Sequence, residues 1–227
     1  MLLLASASPR RRDLLAQAGY EFTALPASVC EDPHPCEQPI PYVLRLARQK
    51  AEAVAASSEF AALAARHSGE PFFVLGADTT VVAPNGEMLA KPVSDADAAR
   101  MLRLLAGATH QVITGVALVS GEHTEVAAEV TRVTFLSPSD DEIARYIATG
   151  EPHGKAGAYA IQGQAARWIP RVHGCYFNVV GLPISLVASM IAGAQERFAR
   201  AESFAESEPS TAPPQTRVPH RKSKVRS

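Results

Sequence analysis

Three consecutive arginines, Arg10 to Arg12, stand where a helix is predicted to begin. Ser8 can cap that helix with its hydroxyl, and Pro9 suits the first helical position, which needs no amide proton. The positive end of the helix dipole then lies over the arginines, and each cation there costs roughly 0.3–1 kcal/mol. Free amides at a helix start and guanidinium groups both bind phosphate, so a polyphosphate ligand would explain the pattern. A solvated basic turn explains it equally well.

A carboxylate and an ammonium group add the chemistry of hydrolysis. Asp78 follows Gly76 at the predicted end of a buried strand. At such a position the backbone fixes the carboxylate while its oxygens reach a cleft. There Asp78 can deprotonate an attacking water, or simply close an Asx turn. Lys50 lies on the apolar stripe of Val43, Ala47 and Val54 in a predicted helix, so it faces inward. It either binds a ligand or extends its amine past the apolar stem to water.

Two acidic residues, Glu31 and Asp32, lie in a proline-rich loop over residues 26–41. With Asp78 they provide hard oxygen ligands for Mg²⁺ or Mn²⁺ beside a triphosphate, and the ion would neutralise charge that develops during hydrolysis. Lys155 follows a glycine in a segment that looks briefly like a phosphate-binding loop. The glycine spacing is too short and Ala156 offers no hydroxyl to a metal, so that motif is rejected.

Charge distribution favours a small ligand over a nucleic acid. All 23 acidic residues of the 227-residue chain precede Arg217, whereas five of the 22 basic residues lie from Arg217 onward, so residues 1–216 carry a net charge of −6. A body of that sign argues against broad nucleic-acid binding. A polyanion must therefore meet a local basic pocket.

The cysteines and the hydropathy pattern bear on location. Cys30, Cys36 and Cys175 form no CxxC pair, so reduced thiols and a cytoplasmic protein are expected. No apolar run has the length of a signal peptide's core or the roughly 20 residues of a membrane span, so no membrane association is expected.

The elements that must position these residues alternate between strand and helix, which predicts an α/β fold. Strands are predicted over residues 21–25, 72–75 with an apolar continuation over 80–82, 111–119, 124–135 and 158–161. Helices are predicted over residues 9–19, 42–65, 94–105, 139–150 and 183–201. Asn85-Gly86 marks a hairpin, and Ser139 with Glu142 forms a capping box. Residues 1–200 are expected to fold as one domain, and residues 201–227, rich in Glu, Ser, Pro and then Lys and Arg, to form a disordered tail.

Several ordered motifs carry a family resemblance: SxSPRR at 6–11, RLARQKA at 45–51, GADT at 76–79, KP at 91–92, KAGAYAIQG at 155–163 and NVVGLP at 178–183. From Leu2 to about Ile191 the chain closely resembles the Maf family of nucleoside triphosphate pyrophosphatases. The resemblance implies a two-lobed, mixed-sheet α/β fold related to the inosine triphosphate pyrophosphatases, with a central cleft and often a homodimer. It also implies metal-dependent hydrolysis to a nucleoside monophosphate and pyrophosphate.

The same resemblance implies roles for individual residues. Asp78 matches the family's proton acceptor, and Glu31 matches a loop acid that helps Asp78 to hold Mg²⁺ or Mn²⁺. Cys30 stands where an acidic residue is common, so the metal-binding loop has one carboxylate fewer. The phosphate-binding positions would be Ser8, Arg11, Lys50 and Lys91.

Three positions of the family distinguish nucleotide bases, and they match Arg10, Thr79 and Gln162. This set resembles the branch that acts on dTTP and UTP. The amide of Gln162 can donate to a carbonyl of uracil or thymine and accept from the imide N–H. A flipped amide would also suit cytosine, so shape or backbone must contribute to selectivity.

Two other functions remain open. A nucleotide-sensing regulatory protein linked to septum formation would bind without hydrolysis, although an intact Asp78 argues against pure binding. A pyrophosphatase for modified purine triphosphates is disfavoured by Gln162, since that branch typically carries Glu there.

Overall fold

A computed structural model describes residues 1–67 and 70–207. Its strands are β1 (Leu2–Leu4), β2 (Phe22–Ala24), β3 (Phe73–Val82), β4 (Met88–Leu89), β5 (Thr109–Ser120), β6 (His123–Thr134) and β7 (Arg171–His173). Its helices are α1 (Pro9–Gln17), α2 (Pro39–Ala55), α3 (Ser58–Arg66), α4 (Asp95–Leu105), α5 (Asp140–Ile147), α6 (Tyr176–Val180) and α7 (Ile184–Ser207). No helix among the described residues is long and apolar enough to cross a membrane.

Within the described residues, the strands form one mixed seven-stranded sheet in the order β2-β1-β3-β5-β6-β7, with β4 paired to β3. Strand β1 runs parallel to β2 and β3, whereas β5, β6 and β7 continue the sheet in antiparallel pairs. The predicted α/β fold is confirmed. Both faces of the sheet are covered, because Leu2 and Leu4 pack into one core cluster while Leu3 between them packs into the other, as the alternation of a strand requires.

Local signals placed most element ends correctly. The Ser94 hydroxyl accepts a hydrogen bond from the Asp97 amide at the start of α4. Ser139 and Glu142 form the predicted capping box of α5, and Asn85-Gly86 joins β3 to β4 in an antiparallel hairpin. Such caps and turns depend on residues close in sequence, which explains why the sequence reveals them.

The single helix predicted from Tyr42 to Ala65 is wrong, because the chain forms α2 and α3 instead. Ser57 interrupts it: the Ser57 hydroxyl donates to the Val54 carbonyl and accepts from the Phe60 amide. The side chain thus closes one helix and caps the next. By contrast, Ser8 occupies the N-cap position of α1, but its side chain accepts no capping hydrogen bond from the helix.

The strand predicted over residues 158–161 is also wrong. A 3₁₀ turn covers Ala156–Ala158, and both Gly157 (φ 70°) and Ala158 (φ 59°) have left-handed backbone conformations that end any strand. The apolar pattern arose because Tyr159 and Ile161 pack into the main core cluster from an irregular segment. The sequence pattern therefore predicted the burial of these side chains correctly but their backbone conformation incorrectly.

Helix α2 packs directly on the sheet through two glycines. A Cβ atom on Gly76 would lie 2.1 Å from the Ala47 carbonyl oxygen, and one on Gly115 would lie 2.4 Å from the Val43 carbonyl oxygen. Gly115 pairs across the sheet with Asp78. Asp78 lies in the interior of β3, not at a strand end as predicted.

The C-terminal helix α7 continues to Ser207, beyond the predicted boundary near residue 200. Residues 208–227 of the predicted tail lie outside the described residues. The division into a domain over 1–200 and a tail over 201–227 therefore stays a prediction.

Candidate active site in the central cavity

A cavity of about 590 Å³ lies where α1, β3, the 26–38 loop and the segment after α5 meet. The structure brings the residues predicted to act in catalysis, phosphate binding, base selection and metal binding to its wall: Ser8, Arg10, Arg11, Glu31, Lys50, Asp78, Thr79, Lys91 and Gln162. They come from distant parts of the chain, so the fold assembles a mixed cationic and acidic site.

Lys50 links two carboxylates at the floor of the cavity. Its Nζ lies 2.6 Å from Asp78 Oδ1 and 2.6 Å from Glu31 Oε1. Lys50 is only 7% exposed and Asp78 only 8% exposed. The amine therefore stays buried on the stripe of α2 with its counter-charges, and it does not extend to water.

Glu31 connects this buried pair to the opposite wall. Its second oxygen, Oε2, lies 3.4 Å from Nζ of the largely exposed Lys91. Burial alone would raise the pKa of Glu31, but the hydrogen bond from Lys50 and the charges of both lysines outweigh burial and lower the pKa. Tyr42, which the sequence analysis missed, donates from its hydroxyl to the Glu31 carbonyl at 2.9 Å and fixes the loop. Its position two helical turns before Lys50 was the available signal.

Arg11 spans the cavity wall. Its guanidinium donates to the Gly181 carbonyl at 2.8 Å, the Thr79 hydroxyl at 3.1 Å and the Ser6 hydroxyl at 3.3 Å. Burial lowers the pKa of Arg11, and the nearby Asp78 charge opposes that effect. The Thr79 hydroxyl also shares a 2.9 Å hydrogen bond with Thr114, so its position is fixed from both sides.

Two cations face the cavity from other directions. The Arg10 guanidinium forms no hydrogen bond or ion pair within the described part of the chain, and burial lowers its pKa. Lys155 also lines the cavity; its ammonium donates to the Glu151 carbonyl, and burial and then the charge of Arg10 lower its pKa. An anion between Arg10 and Lys155 would relieve their repulsion. The sequence analysis rejected Lys155 with its incomplete loop motif and so did not assign it to the site.

Glu31 and Asp78 provide carboxylate oxygens around one ammonium group, so this pair can serve a hard divalent cation. Among the described residues there is no group of three or more His, Cys, Asp or Glu side chains that could hold a metal. Mg²⁺ typically takes one or two carboxylates and completes its shell with substrate phosphates and water. The donor set therefore fits a metal that arrives with a phosphate ligand.

His110 supports the cavity wall from inside the core. It is 1% exposed, its Nε2 shares a 2.9 Å hydrogen bond with the hydroxyl of the wall residue Tyr159, and its ring packs edge-on against Phe135. Burial lowers the pKa of His110 to about 4. The folded protein thus holds a neutral imidazole here.

We expect this histidine to make folding stability depend on pH. Between the ordinary pKa near 6.5 and about 4, the unfolded chain binds a proton that the folded chain excludes, so stability falls as pH falls. The loss from His110 between pH 7.5 and pH 5 should be about 2 kcal/mol. Urea unfolding at both pH values measures it, with His110→Gln as the comparison because glutamine does not titrate. Equal losses for the two proteins would contradict the prediction.

The chain is similar over most of its length to several known proteins. The family model described as Maf-like protein matches residues 1–194. The chain is 51% identical to a dTTP/UTP pyrophosphatase of Koribacter versatilis over 84% of this chain and 92% of that protein. It is 50% identical to a dTTP/UTP pyrophosphatase of Geobacter sulfurreducens over 81% of this chain and 91% of that protein. A dTTP/UTP pyrophosphatase of Hahella chejuensis is 48% identical over 81% of this chain and 87% of its own length.

Proposed function

The chain belongs to the Maf-like protein family, and on that premise we propose that it is a pyrophosphatase that hydrolyses dTTP and UTP to the monophosphate and pyrophosphate. The observation that best supports this function is the buried Lys50 ammonium held between Asp78 and Glu31 at the floor of a cation-lined cavity. A triphosphate needs cations along its length, and its hydrolysis needs a base beside the phosphorus atom that is attacked.

Asp78 acts as the general base. Its Oδ1 accepts the hydrogen bond from Lys50, while its Oδ2 has no hydrogen-bond donor among the described residues and is available to a water. The interior of β3 holds the carboxylate in a fixed direction. A fixed and nearly buried base can take the proton of the attacking water without reorganisation.

The phosphates bind to Ser8, Arg11, Lys50 and Lys91. Lys91 is well exposed at the rim and can turn toward an incoming phosphate, whereas Arg11 and Lys50 already have partners in the protein. Glu31 and Asp78 would hold Mg²⁺ or Mn²⁺, which would neutralise phosphate charge. Both acidic residues line the same cavity as the cations proposed to bind the phosphates.

Arg10, Thr79 and Gln162 select the base. Thr79 is fixed by Arg11 and Thr114, so its methyl and hydroxyl groups present a constant surface. Gln162 lies exposed at the cavity rim, where its amide can meet both the carbonyl and the imide N–H of uracil or thymine.

We expect Gln162→Glu to weaken the transition state for dTTP and UTP by about 1–3 kcal/mol, which is about 5- to 150-fold in kcat/KM. A carboxylate only accepts hydrogen bonds, so it loses the donor to the carbonyl and repels that oxygen. Pyrophosphate release from UTP and GTP by the two proteins measures the change. Unchanged selectivity would remove Gln162 from base recognition.

Pyrophosphate release with Mg²⁺ or Mn²⁺ across canonical and modified nucleoside triphosphates, with the products identified, tests the function itself. Turnover of dTTP and UTP to monophosphates supports it. Tight binding without turnover would support a nucleotide-sensing protein instead, and preference for modified purines would support the other enzymatic branch.

The homodimer implied by the family resemblance and the cytoplasmic location expected from the cysteines stay predictions. So does the expectation that nucleic acid is not a partner. Light scattering after size exclusion, on the full chain with and without dTTP, measures the oligomeric state. A mass of a single chain under both conditions would contradict the dimer.

A further inference from the structure

Residues 160–164, here called the Gln162 turn, are anchored on both sides of Gln162 by one hydrogen-bonded unit. The Ala160 amide donates to the Tyr146 hydroxyl at 3.2 Å, and that hydroxyl donates to Glu151 Oε1 at 2.9 Å. The Glu151 carboxylate then accepts from the Gln164 amide at 3.0 and 3.1 Å. Tyr146 and Glu151 therefore hold the backbone two residues before and two residues after Gln162.

This anchor is rigid and closely fitted. Tyr146 is fully buried at 0% exposure and packs edge-on against Trp168, with 5.1 Å between the ring centroids. The Glu151 carboxylate lies so close to the turn that a Cβ atom on Gly163 would be 2.1 Å from Glu151 Oε1. Thr149 donates its own hydroxyl to the Tyr146 carbonyl and accepts from the Glu151 amide, which fixes Glu151 as well.

Gln162 itself is held only through this backbone. It is exposed, and its side-chain amide has no hydrogen-bond partner among the described residues. An unsupported amide at the end of a flexible side chain discriminates between bases only if its backbone is fixed. The carboxylate of Glu151 therefore helps to determine where the Gln162 amide can reach, because it accepts the hydrogen bond of the Gln164 amide.

We propose that Glu151, together with Tyr146, is a positioning residue for base selectivity that acts through the Gln162 turn. Neither residue is part of the cavity wall. The proposal rests on the proposed function, since it requires Gln162 to read the pyrimidine base. A purely structural role would reduce activity equally on all nucleotides, whereas positioning changes the ratio between them.

Glu151→Ala should lower the ratio of kcat/KM for UTP over GTP by about tenfold, while kcat at saturating UTP changes less than about threefold. The Glu151 backbone carbonyl still accepts from Lys155 in this variant, so the position of that cavity-lining ammonium group is preserved. Gly163→Ala should act in the same direction, because its methyl group displaces the carboxylate.

A double-mutant cycle with Gln162→Ala shows whether Glu151 acts through Gln162. Adding Glu151→Ala to Gln162→Ala should leave the UTP-to-GTP ratio unchanged, since the group being positioned is already absent. If the two effects multiply, Glu151 acts by another route and the proposal is overturned. Rescue by Glu151→Gln, whose amide oxygen can still accept from the Gln164 amide, would support it.

Ser57→Ala is the matched control, because it removes the N-cap of the distant helix α3 and costs about 1 kcal/mol of stability without touching the turn. Its selectivity should equal that of the original chain. Should Glu151→Ala not fold, Tyr146→Phe keeps the ring packing and removes only the linking hydroxyl. Retained selectivity in the folded variants overturns the proposal.

Binding measurements separate this proposal from the proposed function. Dissociation constants for α,β-methylene analogues of UTP and GTP, measured by calorimetry, report base selectivity without turnover. A chain that releases no pyrophosphate but loses its UTP preference on Glu151→Ala refutes the hydrolase and supports the positioning role. A chain that releases pyrophosphate from UTP but keeps its base preference on Glu151→Ala supports the hydrolase and overturns the positioning role.

Discussion

We expect Asp78→Asn to lower kcat for dTTP and UTP by about 10²- to 10⁴-fold, the usual contribution of a general base. Asparagine has nearly the same shape and can still accept the Lys50 hydrogen bond through its amide oxygen. It cannot take a proton from water. Pyrophosphate release measures kcat, and calorimetry with the α,β-methylene analogue of UTP should show an affinity within about threefold of the original.

The effect of Asp78→Asn must be separated from the general loss of an acidic side chain. Asp140→Asn offers this comparison, because Asp140 is exposed and its side chain forms, among the described residues, a single ion pair, with Arg103. We expect nearly full activity from that variant. Full activity in Asp78→Asn would instead reduce Asp78 to a structural carboxylate and remove the assigned mechanism.

The second large effect is expected in stability, from Lys50→Met. Removing the ammonium leaves the nearly buried Asp78 carboxylate without its counter-charge, which costs about 3–5 kcal/mol for a buried pair. Glu31 is about half exposed and can turn to water, so most of the penalty comes from Asp78. Urea unfolding measures the change, and turnover should fall as well because the ammonium no longer meets the phosphates.

Arg48→Met is the control for Lys50→Met, since it removes a cation from the same helix. Arg48 is about half exposed, and its Nε lies 3.9 Å from Oε1 of Glu52, four residues further along the helix. An exposed pair of this kind contributes about 0.3–0.5 kcal/mol. Similar losses in the two variants would contradict a special contribution from the buried Lys50.

Sequence patterns predicted local features of this protein well. The inward direction of Lys50 followed from its spacing with Val43 and Ala47, because helical periodicity repeats every few residues. The break at Ser57 was not predicted, because a serine is also compatible with a continuous helix. In the structure its hydroxyl instead bonds the Val54 carbonyl and the Phe60 amide, which ends one helix and begins the next.

Contacts between distant residues could not be predicted from periodicity. The sequence placed Lys50 inward but did not indicate that its partners would be Asp78 and Glu31. The family resemblance assigned these residues to one site but gave no distances or contacts between them. The anchoring of the Gln162 turn by Tyr146 and Glu151 left no signal in spacing at all, because it depends on a backbone segment that resembled a strand.

The two glycines beneath α2 set a limit on engineering. Replacing glycine in a strand usually stabilises a protein by reducing the freedom of its unfolded chain, and such replacements are routine in thermostabilisation. Here a single methyl group on Gly76 or Gly115 would push the helix that carries Lys50 away from the strand that carries Asp78. A library selected for heat resistance alone would enrich substitutions elsewhere and leave these two glycines untouched. At both positions, the close packing of α2 on the sheet also sets the distance between Lys50 and Asp78.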